Sequence, residues 1–254
     1  MKNNILLLTL ISLLSCGQLF AQILGPRHVI KTDLKAYVPA NFNLISSVNL
    51  NYEYKLNKKF SVGLVAGSLI KRTLELGATG SSNSGDDLAY KGEISPSGYF
   101  INPYARMYTK ESLKGFYLEL FTRHYNYDFE IPYDYEKNNG TITANAVANA
   151  KAFGGGLVVG SQFHLAKKFV LDLYAGAGMG VGNVYAETND PNLDEQDFQD
   201  IKQEMDNLSD VEIAILGNAI NDLTYDANST SAWAELKGVP IPMLRAGIAF
   251  GYMF

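Results

Sequence analysis

The sequence predicts an all-β chain: an eight-stranded antiparallel up-and-down barrel with a partly helical long loop before its last strand. Three observations predict it. From His28 onward apolar and polar residues alternate in runs of about ten, the period of a strand whose two faces meet different media. The composition, with 16 Tyr, 13 Phe and 23 Gly among 254 residues and 19% charged, favours strands over helices. The connectors between the runs alternate short and long, as in an up-and-down barrel with turns at one end and loops at the other.

The chain opens with an address. Met1 to Asn4 make a short positive start, and Ile5 to Leu14 form an apolar run interrupted by Thr9 and Ser12, too short to cross a bilayer as a helix. A more polar stretch leads to Phe20-Ala21-Gln22, so residues 1–21 are expected to be a signal peptide and 22–254 the mature barrel. Cys16, the one cysteine, lies in Leu13-Leu14-Ser15-Cys16, a loose match to a lipoprotein cleavage box. Cleavage after Ala21 would leave no thiol for a disulfide, a nucleophile or a metal, and Cys16 is not expected to be catalytic in either case.

Eight strands follow, at about 28–38, 44–56, 60–71, 98–109, 115–127, 151–165, 169–184 and 239–254. The second is the clearest: Leu44, Ser46, Val48, Leu50, Tyr52, Tyr54 and Leu56 share one face, and Asn49, Asn51, Glu53 and Lys55 the other. Each run meets the roughly 9 to 11 residues that a tilted strand needs to cross a bilayer core. The short connectors are 57–59, 109–114 and 166–168. Two of them repeat, as Leu56-Asn57-Lys58-Lys59-Phe60 and Leu165-Ala166-Lys167-Lys168-Phe169, and are read as the same turn used twice. The long connectors, 39–43, 72–97, 128–150 and 185–238, lie at the other end, and both termini fall with the short turns.

Alternation alone does not say which face is inside; a secreted lipocalin-like barrel carries the same pattern with the apolar face inward. Three features favour a transmembrane barrel. The chain ends with Leu244, Ala246, Ile248, Phe250, Tyr252 and Phe254 on one face, so Phe250, Tyr252 and Phe254 form a candidate assembly signal. Tyr52, Tyr54, Phe60, Phe116, Phe163, Phe169, Tyr252 and Phe254 fall near the short turns, where an interfacial aromatic girdle belongs. The polar face is rich in Gly and Tyr rather than densely charged, as a narrow filled interior demands.

These residues resemble, in architecture, the small outer-membrane barrels of the OmpX and OmpA-transmembrane type. They are more similar still to an uncharacterised family of Gram-negative outer-membrane β-barrel proteins, through Ile30-Lys31-Thr32-Asp33-Leu34, Leu50 to Leu56 with Phe60-Ser61-Val62-Gly63-Leu64, and Gly154-Gly155-Gly156 through Asp172-Leu173. The resemblance implies a fold and an outer-membrane location, with outer-membrane lipids and the barrel-assembly machinery as partners. It supplies no catalytic residues.

Candidate chemistry lies on the polar face: Lys31, Asp33, Glu53, Lys55, Arg106, Glu119, Arg123, Asp172 and Arg245. Charges in so narrow a space must pair, because an unpaired one away from water costs several kcal/mol. Arg106 is expected to meet Glu119, and Asp33 to face Arg245 where the barrel closes. The network reads as a structural plug, with a conducting role as the alternative. Gly176, Gly178, Gly180 and Gly182 recur every second residue and do not fit G-x-G-x-x-G, so they are read as room for interior side chains rather than a nucleotide loop.

Residues 187–237 hold thirteen acids against two lysines. Asp190, Asn192 and Asp194 begin like a calcium loop, but Glu195 and Ile201 stand where Gly and Glu are required. Apolar residues between Asn192 and Leu223 recur at helical spacing, predicting one or two amphipathic helices in a cap over the barrel mouth. The net charge of −5 argues against nucleic acid as a partner. No G-x-S-x-G or H-E-x-x-H occurs, and His124 is the one histidine placed for barrel-enzyme chemistry. The expectation is therefore a monomeric, non-enzymatic outer-membrane protein without cofactor or metal, whose loops serve envelope integrity or bind an unidentified surface ligand. A narrow transport pore is the alternative, ahead of a lipocalin-like carrier or a lipid-modifying enzyme.

Overall fold

The computed structural model describes residues 27–33, 47–70, 74–79, 89–137, 140–165, 167–208 and 223–254. The expected signal peptide with Cys16, the connector 39–43 and the second half of the helical pattern, 209–222, lie outside the described residues. The elements in chain order are β1 (His28–Asp33), β2 (Ser47–Lys55), β3 (Phe60–Leu69), β4 (Leu74–Thr79), β5 (Ala89–Tyr108), β6 (Gly115–Lys137), β7 (Gly140–His164), β8 (Phe169–Thr188), α1 (Glu195–Leu208), β9 (Leu223–Ala227) and β10 (Ala232–Met253).

Strands β1-β2-β3-β5-β6-β7-β8-β10 pair antiparallel in that order, and β1 pairs back onto β10 through Val29↔Met253, Lys31↔Gly251 and Asp33↔Ala249. The sheet is therefore a closed ring, and closure removes the unpaired edges that an open sheet would present. Phe254 completes the seam: its N–H donates to the His28 carbonyl at 2.9 Å, and its own carbonyl accepts from His28 N–H at 3.0 Å. The repeated lysine turns close alike, with Leu56 N–H on Phe60 O and Leu165 N–H on Phe169 O, both at 3.0 Å. Register matters because a one-residue slip would turn every charged side chain outward.

The wall is inside-out relative to a water-soluble barrel. Leu244 is 76% exposed, Phe153 62% and Leu50 57%, whereas Glu53, Arg106 and Glu119 are completely buried. On β7 the outward apolar run extends from Phe163 through Val159 and Leu157 to Phe153, with exposed Lys151 next in phase. Lys151 pairs with Asn126 on β6 and Asn183 on β8, so the outer surface turns polar at one level across three strands. The β8–β10 register shifts between Leu236 and Val239 near that level, where Gly238 has φ +69° and its N–H donates to Asn183 Oδ1 at 3.2 Å. Among the described residues no helix is long and apolar enough to cross a membrane, which says nothing about strands.

Several strands run further than the sequence predicts. The expected loop 128–150 is mostly a continuation of the β6–β7 hairpin, paired up to Lys137↔Gly140. The expected loop 72–97 contains β4, paired with the start of β5 from Leu74↔Ile94 to Thr79↔Ala89. The expected loop 185–238 contains the end of β8, α1, β9 and the start of β10. Pro132 reads as a strand breaker, yet it lies past the last β5–β6 pair, Ser95↔Glu130, where β6 has lost that neighbour and a missing N–H there costs no ladder bond.

The amphipathic pattern of the acidic segment yields α1. Asp194 caps it by accepting from Gln196 N–H (3.0 Å) and Asp197 N–H (3.1 Å), and Asp197 returns a carboxylate oxygen to Asp194 N–H at 2.7 Å, a reciprocal cap. Leu193, Phe198 and Ile201 pack on Ala144 and Ala232, so the helix lies against the extended β7 and β10.

Candidate functional site

The interior is stacked in three layers, built by the inward phase of each strand. The first closes the turn end: Val29, Leu113, Val170 and Met253 form an apolar stopper. Leu113 reaches it because the 109–114 turn folds inward, with Leu113 at φ +69°, a conformation a branched side chain adopts only when its surroundings hold it there. Its carbonyl accepts from Gln162 Nε2 and contacts His164 Nε2, both at 2.9 Å.

The second layer is ionic. Lys31 Nζ lies 2.5 Å from Glu53 Oε2, 2.7 Å from Asp172 Oδ2 and 3.0 Å from Gln162 Oε1. Arg106 donates through Nη1 to the same Glu53 and Asp172 oxygens at 3.0 and 2.8 Å, and through Nε to Glu119 at 2.7 Å. Arg245 Nη1 bonds the other Glu119 oxygen. Hydroxyls occupy the remaining carboxylate positions: Ser61 and Tyr108 donate to Glu53 Oε1 at 2.5 and 2.7 Å, and Tyr117 to Asp172 Oδ1 at 2.6 Å. Three cations thus meet three carboxylates. Arg106 Nη2 is the one buried side-chain polar atom without a partner among the described residues, and the guanidinium instead lies over the Tyr117 ring at 4.0 Å.

The third layer is mixed. Asp33 accepts from Tyr174 Oη and from Asn49 Nδ2, each at 2.6 Å, and Tyr104 donates to Asn51 at 2.6 Å. Arg123 Nε donates to Asn102 Oδ1 at 2.9 Å, with Nη1 at 3.5 Å from the Leu244 carbonyl. Above it a partly open cavity of about 290 Å³ is lined by residues that include Asp33, Asn49, Phe100, Arg123, Tyr125 and Met243.

The ring thus brings Lys31, Glu53, Arg106, Glu119, Asp172 and Arg245 into one cluster and sets Asp33 and Arg123 above it. Arg106 meets Glu119 as the strand pairing predicts. Asp33 does not pair with Arg245; the Arg245 side chain reaches Glu119 below, and Tyr174 and Asn49 take Asp33. Lys55 is not an interior residue: its Nζ sits 3.3 Å from Glu111 at the turn end, with both side chains partly in solvent. His124 lies exposed on the outer wall, in register with Ile101 and Phe153. Phe250 and Tyr252 pack on Phe169, and Phe254 stacks on His28 at 5.5 Å. Asp190 and Asp194 spend carboxylate oxygens on backbone N–H groups of their own turn.

Sequence reasoning missed the interior tyrosines and Gln162 as partners of the ions. The signal was their phase: Tyr104, Tyr108, Tyr117, Gln162 and Tyr174 fall on the polar side of their strands. The glycines had a related meaning. Gly63, Gly67, Gly160 and Gly247 stand in register with Tyr104, Phe100, Tyr117 and Tyr174, and a Cβ on any of them would come within 3.0 Å of that ring. Each aromatic lies across a glycine on the neighbouring strand.

The fold and its contents define a class: closed antiparallel barrels with a charge-balanced ion layer across the interior and an apolar outer wall. Within it, the chain belongs to the DUF3575 family, described as protein of unknown function, whose model matches residues 5–215. That match stops short of β9 and of the closing strand β10. No curated protein and no solved structure matches the chain.

Proposed function

We propose that this chain is a non-enzymatic outer-membrane β-barrel of a Gram-negative cell, delivered by a signal peptide cut after Ala21, whose wall anchors recognition loops at its outer end. The observation that carries this reading is the inverted wall, with apolar side chains outside and ions within. In water each large apolar side chain left on the outer surface forgoes about 1.5–3 kcal/mol of burial, and a lipocalin-like carrier needs the opposite distribution. Lipid removes that cost. The outward apolar run of β7, Phe153 to Phe163, is eleven residues; at about 3.3 Å each and a tilt near 45° it stands about 25 Å tall, the height of an outer-membrane apolar band.

The stopper and the neutral ion layer favour anchoring over a transport pore, since the lumen of an eight-stranded barrel is narrow enough for side chains to fill. The test is heat-modifiability of the membrane fraction on SDS gels, run beside a Phe254 deletion. The unboiled protein is expected to run ahead of the boiled one, and the deletion to abolish that band. Unshifted protein recovered from the soluble periplasm would overturn the assignment.

A further inference from the structure

We propose that the cavity above the ion layer binds a small organic anion, a single carboxylate on a planar apolar body, with Arg123 as the residue that takes the carboxylate. The proposal deepens the reading of this chain as an outer-membrane recognition barrel and rests on it, since the cavity lies at the loop end.

Charge singles out Arg123. Of the four cations inside the barrel among the described residues, Lys31, Arg106 and Arg245 each touch at least one carboxylate, whereas Arg123 has no ion pair there. Its Nε is spent on Asn102 and its Nη1 makes only the 3.5 Å approach to Leu244 O. A guanidinium carries five N–H donors in a fixed planar fork, whose natural complement is a carboxylate held bidentately. Asp33 lines the same cavity, but its oxygens accept from Tyr174 and Asn49 and it makes no ion pair with Arg123, which leaves that guanidinium charge without a direct partner among the described residues. Such a charge, partly withdrawn from water, favours an incoming anion.

The walls select the rest of the ligand. Phe100 lies beneath the guanidinium at 5.2 Å. Tyr125 and Tyr127 stack at 4.4 Å with planes 11° apart, and Met243 on β10 adds an adaptable apolar surface. The volume, about 290 Å³, sits at the lower bound of small-molecule pockets, about 300–1,000 Å³, so the body is on the scale of one ring. Asn49 and Asn102 remain as polar neighbours to orient it.

The experiment uses the full mature chain refolded in detergent micelles, with trans-cinnamate as probe, titrated calorimetrically against empty micelles. Wild type is expected to show saturable one-to-one binding, weakened at least tenfold in both Arg123→Gln and Arg123→Lys, because lysine lacks the fork. Acetate and inorganic phosphate are expected to compete at least tenfold less well than cinnamate, since neither fills the aromatic walls. Equal heats in wild type and Arg123→Gln would mean partition into the micelle and overturn the proposal, as would phosphate competing as well as cinnamate. Each sample is also run unboiled on an SDS gel. Shifted protein that binds nothing sinks this inference alone, whereas unshifted protein sinks the barrel reading beneath it.

Discussion

Asp172 and Arg123 present opposite cases of a charge inside one barrel. Asp172 is completely buried and holds Lys31, Arg106 and Tyr117 together, so removing its charge leaves Lys31, Arg106 and Arg245 facing only Glu53 and Glu119 away from water. Breaking such a buried pair costs about 3–5 kcal/mol, and Asp172→Asn is expected to lower the urea midpoint of the refolded barrel accordingly. Arg123→Gln breaks no ion pair among the described residues and should lower stability by less than about 1 kcal/mol, the net worth of an ordinary hydrogen bond, with a correspondingly small change in midpoint. Equal midpoints for the two variants would contradict the division between plug and cavity. Gly160 supports the plug indirectly: a Cβ there would fall 2.4 Å from the Tyr117 hydroxyl. Gly160→Ala is therefore expected to displace Tyr117 from Asp172 and to destabilise the barrel, whereas Tyr117→Phe, which loses only the bond, should cost less. A harmless Gly160→Ala in the same urea titration would remove the steric argument. The charged members of this layer were legible in the sequence because alternation reports phase. Their pairing across the lumen was not: Asp33 stands opposite Ala249 at the seam, four residues from Arg245, whose side chain reaches Glu119 instead.

At the scale of elements, alternation marks a strand well where the wall separates apolar from polar surroundings and poorly beyond it. The paired run Thr141 to Ala150 on β7 alternates Ala or Ile with Thr, Asn and Val, a weak contrast that reads as loop although it continues the ladder to β6. Helix α1 was legible from its own period, but what docks it was not. Asp190 accepts from Asn192 N–H and Asn145 N–H, both at 2.9 Å, tying the acidic segment to the hairpin, and these N–H donors hold its carboxyl below the ordinary Asp value. A depressed folded pKa stabilises docking fully above the unfolded value, about 3.9, and that contribution is lost as pH falls through the lower folded value. Amide exchange of Asn145 and Asn192 should thus give similar protection factors at pH 7 and pH 5, and reduced ones below about pH 3.5. In Asp190→Asn the acid-dependent loss should vanish. Protection that stays constant down to pH 2 in the wild type would show that the carboxylate does not hold the segment.

For the whole molecule, two barriers in series block the lumen: the Val29, Leu113, Val170 and Met253 stopper and the ion layer above it. They depend on different forces, one on apolar packing and one on ion pairing, so each should close the barrel without the other. The stopper is also the least legible part of the sequence, because a turn residue at positive φ gives no periodic signal that its side chain enters the barrel. Wild type is expected to give no conductance steps in planar bilayers, and neither Leu113→Ser nor Arg106→Ser alone should open a stable path. Together they remove the stopper's only side chain from a turn and the guanidinium that bridges Glu53, Asp172 and Glu119. The double variant leaves three carboxylates facing Lys31 and Arg245, an excess of negative charge, and any steps it gives should favour cations. Steps in the wild type, or an anion preference in the double variant, would point to a path that avoids this network and would revive the transport reading.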